Sequence, residues 1–438
     1  MAIHIKGDTG KTALFALQWL GFAVASIMAV PVIVGSALGL DSAASASFAQ
    51  RTMLFVGLFS FLQVYLGHRY PLLEGPGKMW FSVFAIMSLS AMQMGKPLAE
   101  LRSDLVAGII LTGLTYLVLS VTGLAKKITK LFTPLVNGTF LILLPLLLSS
   151  TIIRGIIGGE SFNARGFIVA MVALTVTVIA LLMGGGYIQS FSILCGISAG
   201  WLLSLLIGAN PPLAVSREII ALPAVFPWGL PTINYTILLN CFIVGILILS
   251  NHVASTVNMS NYLNEELEEK RYAYSLAVTG LGNIFAAVFG ITPFIPYASS
   301  IGFIRLTGNS KRLPFILCSL ILVMLGLFPA VGGLIAAIPQ QLGYAVLLIG
   351  FCQIFGLGLR EYAKLSFDNK ELLVCSLSVM TAVGIMFLPV EVVSLLHPSL
   401  RLIFGNGLIM GIAMCILLER MLSPMASTSG SEKIESGV

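Results

Sequence analysis

The chain has 438 residues, 57% of them hydrophobic and only 10% charged, with a formal net charge of +6. That balance excludes a soluble globular protein. The excess positive charge is modest and falls in short segments between apolar runs, so it speaks of orientation in a membrane and not of nucleic acid.

Apolar runs of about 20 residues recur from end to end, each long enough to cross a hydrocarbon core of ~30 Å. The first begins near Lys11 and is too long and too poorly flanked for a cleavable leader. Seven predicted spans fill the first half, near 13–35, 49–67, 71–91, 104–124, 131–150, 167–184 and 187–208. The longest connection, 209–234, holds Pro211, Pro212, Pro223, Pro227 and Pro231 and reads as a proline-stiffened crossing. Seven more follow near 235–257, 273–290, 297–308, 313–334, 339–359, 370–390 and 400–420, and a short polar tail follows Leu422. With both termini on the cytoplasmic side, 15 Lys and Arg fall in inside loops and 7 in outside loops, the bias expected of this orientation.

Two spans are abnormal. The third is broken at Gly75-Pro76-Gly77, and the tenth is short and preceded by Thr292-Pro293-Phe294-Ile295-Pro296. The breaks lie roughly 220 residues apart, close to the offset between the first and eighth spans, so they occupy matching places in two seven-span halves. An odd number of spans per half makes the repeats inverted. Broken backbone at membrane depth must find partners in protein or in a substrate-holding cavity. Half-helix N-termini starting near Gly77 and Tyr297 would present positive dipole ends there. The bland alternative is that Pro76 and Pro296 kink two packed helices.

The six cysteines, Cys195, Cys241, Cys318, Cys352, Cys375 and Cys415, stand singly in apolar stretches, as small residues at helix contacts would. No CxxC or Cys/His spacing suggests a metal or disulfide, and no cofactor is expected. There is no HExxH, paired-carboxylate motif or glycine-rich phosphate loop, so an enzyme is not expected. Partners would be a small solute, a coupling ion and the bilayer.

Several stretches resemble the nucleobase–cation symporter-2 (nucleobase/ascorbate transporter) family, in its uracil/xanthine (purine) permease branch. They are LQWLGFAVASIMAVP (17–31), GHRYPLLEGPGKMW (67–80), FTPLVNGTF (132–140), NHVAS (251–255), GITPFIPYASSIGFIRLTGNSKR (290–312), IPQQLGYAVLLIGF (338–351) and GNGLIMGIAMCILLERML (405–422), in the family's order. The resemblance implies an all-α polytopic membrane protein of 14 transmembrane segments in two inverted 7-segment repeats. Segments 3 and 10 would open as short strands. The implied core domain is residues 1–130 and 235–336, the gate domain 131–234 and 337–422, and 423–438 a cytoplasmic tail. The implied activity is secondary transport of a nucleobase, xanthine or another purine or else uracil, across the cytoplasmic membrane by alternating access. The coupling ion would be H⁺ or Na⁺, and pairing into a homodimer through the gate domain is part of the same picture. The alternative is an anion transporter of this architecture, as in the sulfate-permease branch.

Carried over by position, the substrate site would be formed by Ser26, Gly77, Lys78, Asn251, Ser299 and Ser300, with Tyr297 either stacking on the base or packing on Ser300. Here the chain departs from the family. Asn251 and Ser299 stand where the family carries glutamates on the eighth and tenth segments, Trp19 replaces a first-span His, Ser300 replaces an Asn, and Lys78 stands where Phe is usual. Asn251 still offers a donor and an acceptor to a base edge. A lysine in a span is a functional hypothesis by default, set against an i, i+4 pair with Glu74 or snorkelling. If coupling is to protons, Glu74, His252 and Lys78 are the remaining candidates.

Overall fold

A computed structural model describes residues 9–125, 133–159, 161–185, 187–211, 218–389 and 407–429, with positions 392 and 395. Of the expected tail at 423–438, residues 423–429 continue the last helix, while 430–438 and the basic cluster Lys126, Lys127 and Lys130 lie outside the described residues. In chain order the elements are α1 (Thr9–Ile27), α2 (Ala29–Ala37), α3 (Ser42–Tyr65), β1 (Glu74–Pro76), α4 (Lys78–Gln93), α5 (Leu98–Thr122), α6 (Pro134–Ile157), α7 (Ala164–Met183), α8 (Tyr187–Ser190) and α9 (Ser192–Leu206). The second half holds α10 (Tyr235–Leu263), α11 (Glu269–Val288), β2 (Phe294–Pro296), α12 (Ser299–Thr307), α13 (Arg312–Leu325), α14 (Pro329–Ala336), α15 (Gln340–Tyr362), α16 (Asn369–Met386) and α17 (Gly407–Ser429).

The chain is helical and polytopic. Among the described residues, α5, α6, α7, α10, α15 and α16 are each long and apolar enough to cross a membrane alone. Several predicted spans are interrupted. The run at 13–35 divides at Met28 into α1 and α2, and 187–208 divides at Phe191 into α8 and α9. The span at 313–334 bends by 88° between α13 and α14, where Pro329 opens the second piece. Hydropathy sees composition in a window and is blind to such breaks, which is why it draws one span where the backbone makes two.

Helix starts follow local chemistry. Asp41, Thr133, Asn163, Asn234 and Asp368 cap α3, α6, α7, α10 and α16 by accepting backbone N–H groups through their side-chain oxygens. Between apolar helices in lipid, burial supplies little drive and close packing supplies more, which favours small residues at crossings. Accordingly a Cβ on Gly57 would stand 2.5 Å from the Ser319 carbonyl, and Gly113 and Gly280 face each other's carbonyls across the α5–α11 crossing. Cys241, Cys318 and Cys415 fill such buried contacts, whereas Cys352 is exposed on α15 and is not a core residue.

The two breaks meet. β1 and β2 pair antiparallel with Gly75 opposite Ile295. Gly77 N–H donates to the Pro293 carbonyl (2.8 Å), and Tyr297 N–H donates to the Leu73 carbonyl (2.8 Å). Outside the ladder, Glu74 N–H finds Ser60 Oγ (3.0 Å) and Phe294 N–H finds Asn283 Oδ1 (2.7 Å). Pro76 and Pro296 carry no N–H to satisfy. The irregular backbone is therefore accounted for inside protein, as membrane depth demands.

Candidate functional site

A cavity of about 290 Å³ lies among α1, α2, α4, α7, α8, α9, α12 and α15. Its polar lining comes from Ser26 on α1, Gln189 on α8, Ser192 on α9, Ser299 on α12 and Gln353 on α15. The apolar walls include Phe22, Phe81, Phe303 and Phe351. Ser26 Oγ donates to the Phe22 carbonyl (2.8 Å) and keeps its acceptor capacity. Two amides and three hydroxyls among aromatic faces suit a small flat molecule with alternating donors and acceptors on its edge. Among the described lining residues none is charged.

A second cavity of about 160 Å³ continues along the same interface and reaches Ser36, Ser88, Thr151 and Tyr344. Ile33, Phe81, Leu347 and Phe351 line both. One apolar layer of four side chains thus forms the wall the two cavities share.

The residues expected from the sequence divide into three groups. Ser26 and Ser299 come together in the larger cavity, across the contact of α1 with α12. Tyr297 and Ser300 instead tie the break together: Tyr297 Oη donates to the Pro76 carbonyl (2.7 Å), and Ser300 Oγ accepts from Leu73 N–H (3.1 Å). Both are buried. Tyr297 is not among the residues that line the larger cavity. Gly77 is the N-cap of α4, and a Cβ there would meet Trp80 at 2.9 Å and Ile295 at 3.2 Å. Asn251 Oδ1 accepts from Ser255 Oγ (3.3 Å), and Asn251 does not line the larger cavity. Lys78 opens α4, and its side chain lies outside the described residues. The proposed i, i+4 pairing of Glu74 with Lys78 is not a helix-face pair, because Glu74 is in a strand and the helix begins only at Lys78.

Glu74 and His252 are brought together by a residue the sequence did not single out. Thr279 Oγ1, on α11, donates to Glu74 Oε1 (2.6 Å) and lies 3.4 Å from His252 Nδ1. Gln63 Nε2 donates to Thr279 Oγ1 (2.9 Å) and to the Ser275 carbonyl (3.0 Å), and His252 Nε2 meets Ser275 Oγ at 3.2 Å. All five side chains are fully buried. Glu74 Oε2 has no hydrogen-bond partner.

Gln189, Ser192, Phe81 and Gln353 were also missed. Ser192, Phe81 and Gln353 sit in helices that are apolar over most of their surface, and Gln189 in a helix of four residues, so no periodic signal marks the face that turns to the cavity. A polar amide within an otherwise apolar span, as at Gln353, was the available clue.

With the geometry in hand, comparison with known proteins decides the family. The xanthine/uracil permease model, described as a permease family, matches residues 10–391. The chain belongs to this permease family, the nucleobase–cation symporters. It is a transporter and not an enzyme. It is 27% identical over 420 residues to the putative purine permease YwdJ of Bacillus subtilis, covering 94% of this chain and 96% of that one. It is 23% identical over 421 residues to the xanthine permease of the same organism, covering 95% and 94%. Among solved structures it resembles the transmembrane domain of the cyanobacterial bicarbonate transporter BicA, with a TM-score of 0.62, 16% identity and coverage of 95% and 98%. At that identity the likeness speaks of fold alone.

Proposed function

We propose that this permease carries a nucleobase, a purine such as xanthine before uracil, across the cell membrane by alternating access. The observation that carries the reading is the larger cavity: it is small, neutral in its described lining, walled by phenylalanines, and edged by Gln189, Gln353, Ser26, Ser192 and Ser299. A purine left with an unpaired polar edge in such a place would lose about 1–3 kcal/mol per group, so amides and hydroxyls select for it. The names of the related proteins, purine and xanthine permeases, agree.

In this reading the chain comprises 14 segments in two inverted seven-segment repeats, with both termini cytoplasmic. The symmetry of the break supports it: Gly77 bonds the residue before β2, and Tyr297 bonds the residue before β1, at one and the same offset. The core domain takes residues 1–130 and 235–336 and the gate domain 131–234 and 337–422. Packing agrees, since α3 lies on α13, α5 on α10 and α11, α6 on α15, and α16 on α17. The cavity is lined from both groups, by α1, α2, α4 and α12 on one side and α7, α8, α9 and α15 on the other. Rocking one group against the other would open it alternately to either face of the membrane.

The test is equilibrium binding of xanthine, hypoxanthine, uracil, sulfate and bicarbonate to purified protein. Purine binding is expected, with no displacement by either inorganic anion. Binding of sulfate or bicarbonate without any base would favour the anion-transporter reading.

A further inference from the structure

We propose that Glu74, Thr279 and His252 form a proton-binding site, apart from the substrate cavity, and that this site couples transport to protons. The inference rests on the transporter reading above and adds the ion and its place.

Among the described residues two carboxylates are buried, Glu74 and Asp104. Asp104 is matched: Lys96 forms an ion pair with it and Thr232 Oγ1 donates to it (2.6 Å). Glu74 has no cation paired with it among the described residues, and its Oε2 bonds to nothing. An ionised carboxylate so placed would lack compensation for several kcal/mol of lost hydration. The species that neutralises it at least cost is a proton.

The neighbours fit a proton better than a metal ion. Hard cations such as Ca²⁺ and Mg²⁺ are held by shells of oxygen ligands. Here the groups converging on Thr279 and Glu74 include the Gln63 amide nitrogen and the imidazole of His252. Arg312 acts on His68, and Arg271 and Glu265 on Tyr70, at the far end of this polar region, and further ionisable groups lie nearer to Glu74 and His252. They are Tyr272 on α11, whose ring stands edge-on to His252 (5.9 Å), Tyr116 on α5, whose hydroxyl donates to the Gly245 carbonyl, Tyr297 after β2, and His68 beyond α3. Lys78 follows four positions after Glu74, with its side chain outside the described residues.

The geometry also provides a transfer route. With the proton on Glu74 Oε1, that O–H donates to Thr279 Oγ1, whose own O–H turns to His252 Nδ1. Breaking the Glu74 O–H bond then forms a Thr279 O–H bond, while the former Thr279 proton forms the His252 N–H bond. A carboxylate and an imidazolium result, and threonine is unchanged. A further string of buried polar groups continues from Gln63 to His68, whose backbone N–H lies 3.5 Å from Gln63 Oε1. His68 Nε2 and Tyr272 Oη are buried without a hydrogen-bond partner. Because Glu74 sits in the same strand pair that seeds α4 and α12, a change in its charge bears directly on the elements beside the cavity.

Two measurements test this. In purified protein without substrate, infrared titration should show the carbonyl stretch of a protonated carboxylic acid that is lost at high pH and is missing from Glu74→Gln. In proteoliposomes, an inside-alkaline pH gradient should drive labelled xanthine above equilibrium in the wild type. For Glu74→Gln the accumulation ratio should fall to about one, because a site with no differential proton affinity cannot shift the equilibrium. Exchange of labelled for unlabelled xanthine should persist in that variant. Thr279→Val, which keeps shape and removes the bridge, should slow gradient-driven uptake at least severalfold with exchange intact, and it serves if Glu74→Gln does not fold. Glu74→Asp should restore part of the accumulation. Gradient-driven accumulation by Glu74→Gln at the wild-type level overturns the proposal, as does a wild type driven only by Na⁺. Absence of any xanthine exchange in the wild type would sink the purine reading instead, and the infrared band would then judge the proton site alone.

Discussion

Segments 3 and 10 are built alike and used differently. Each has a three-residue strand ending in proline and then a helix, and each strand's first N–H is taken by a polar side chain of the preceding helix, Ser60 or Asn283. Yet the helix of segment 10 turns Ser299, Gly302, Phe303 and Leu306 to the larger cavity, whereas segment 3 contributes Phe81 among its described side chains. Segment 3 carries its chemistry in the strand instead, where Glu74 reaches the buried cluster of Thr279, Gln63 and His252. The opposite residue in the ladder is Pro296, which has nothing to titrate. The two breaks thus keep one backbone device while dividing the work between them. One faces the cavity and the other carries a buried carboxyl group.

The largest effect should come from breaking the shared device. A Cβ at Gly75 would stand 2.9 Å from Tyr297 Cζ, and that ring is buried and anchored through its hydroxyl. Gly75→Val should cost upwards of about 3 kcal/mol, an overpacked core site with no room to yield. Size-exclusion of the detergent-solubilised protein should show loss of the monodisperse peak.

Next come changes confined to the cavity. Gln353→Leu and Gln189→Leu each remove an amide from the lining, and should weaken xanthine binding by roughly 1–3 kcal/mol while the protein stays monodisperse. Calorimetric titration measures this. Unchanged affinity in both would move the solute away from this cavity.

A smaller shift is expected at Lys78, the first residue of the segment 3 helix. Xanthine loses a ring proton more readily than uracil does, and a cation near the site favours the anion by an upper limit of about 4 kcal/mol at an effective dielectric of 20. Lys78→Met should reduce the preference for xanthine over uracil by about tenfold, ~1.4 kcal/mol. Competition uptake in the two proteins reads it, and an equal preference in both would remove Lys78 from selectivity.

The smallest effect sharpens the contrast on the segment 10 side. Tyr297→Phe deletes the bond to the Pro76 carbonyl and should lower stability by about 1 kcal/mol. A drop of a few degrees in thermal midpoint with transport retained is the expected result. Loss of xanthine binding with an unchanged midpoint would instead make Tyr297 part of the solute site.

Much of this was legible in the residues. The apolar runs declare a polytopic membrane protein because crossing hydrocarbon is a local requirement of length and composition. Gly75-Pro76-Gly77 and Pro293-Phe294-Ile295-Pro296 declare the two breaks because proline removes a donor wherever it stands. Motif order gave the family. Ser26 and Ser299 could be named for the cavity from that resemblance alone.

Only the tertiary structure decided the rest. Whether Gln189, Ser192 and Gln353 face a cavity depends on which side of each helix meets a neighbour, and helices that are apolar all round carry no such mark. Thr279 has no sequence signal as a bridge, since its partners lie in β1 and α10, far off in the chain. Asp104 reads as a stray acid near a span, but folding sets it beside Lys96 and Thr232, while Glu74 is left without a counter-charge among the described residues. Composition can say that a charge will be buried. What compensates it is fixed by contacts between distant segments, and those exist only once the chain has folded.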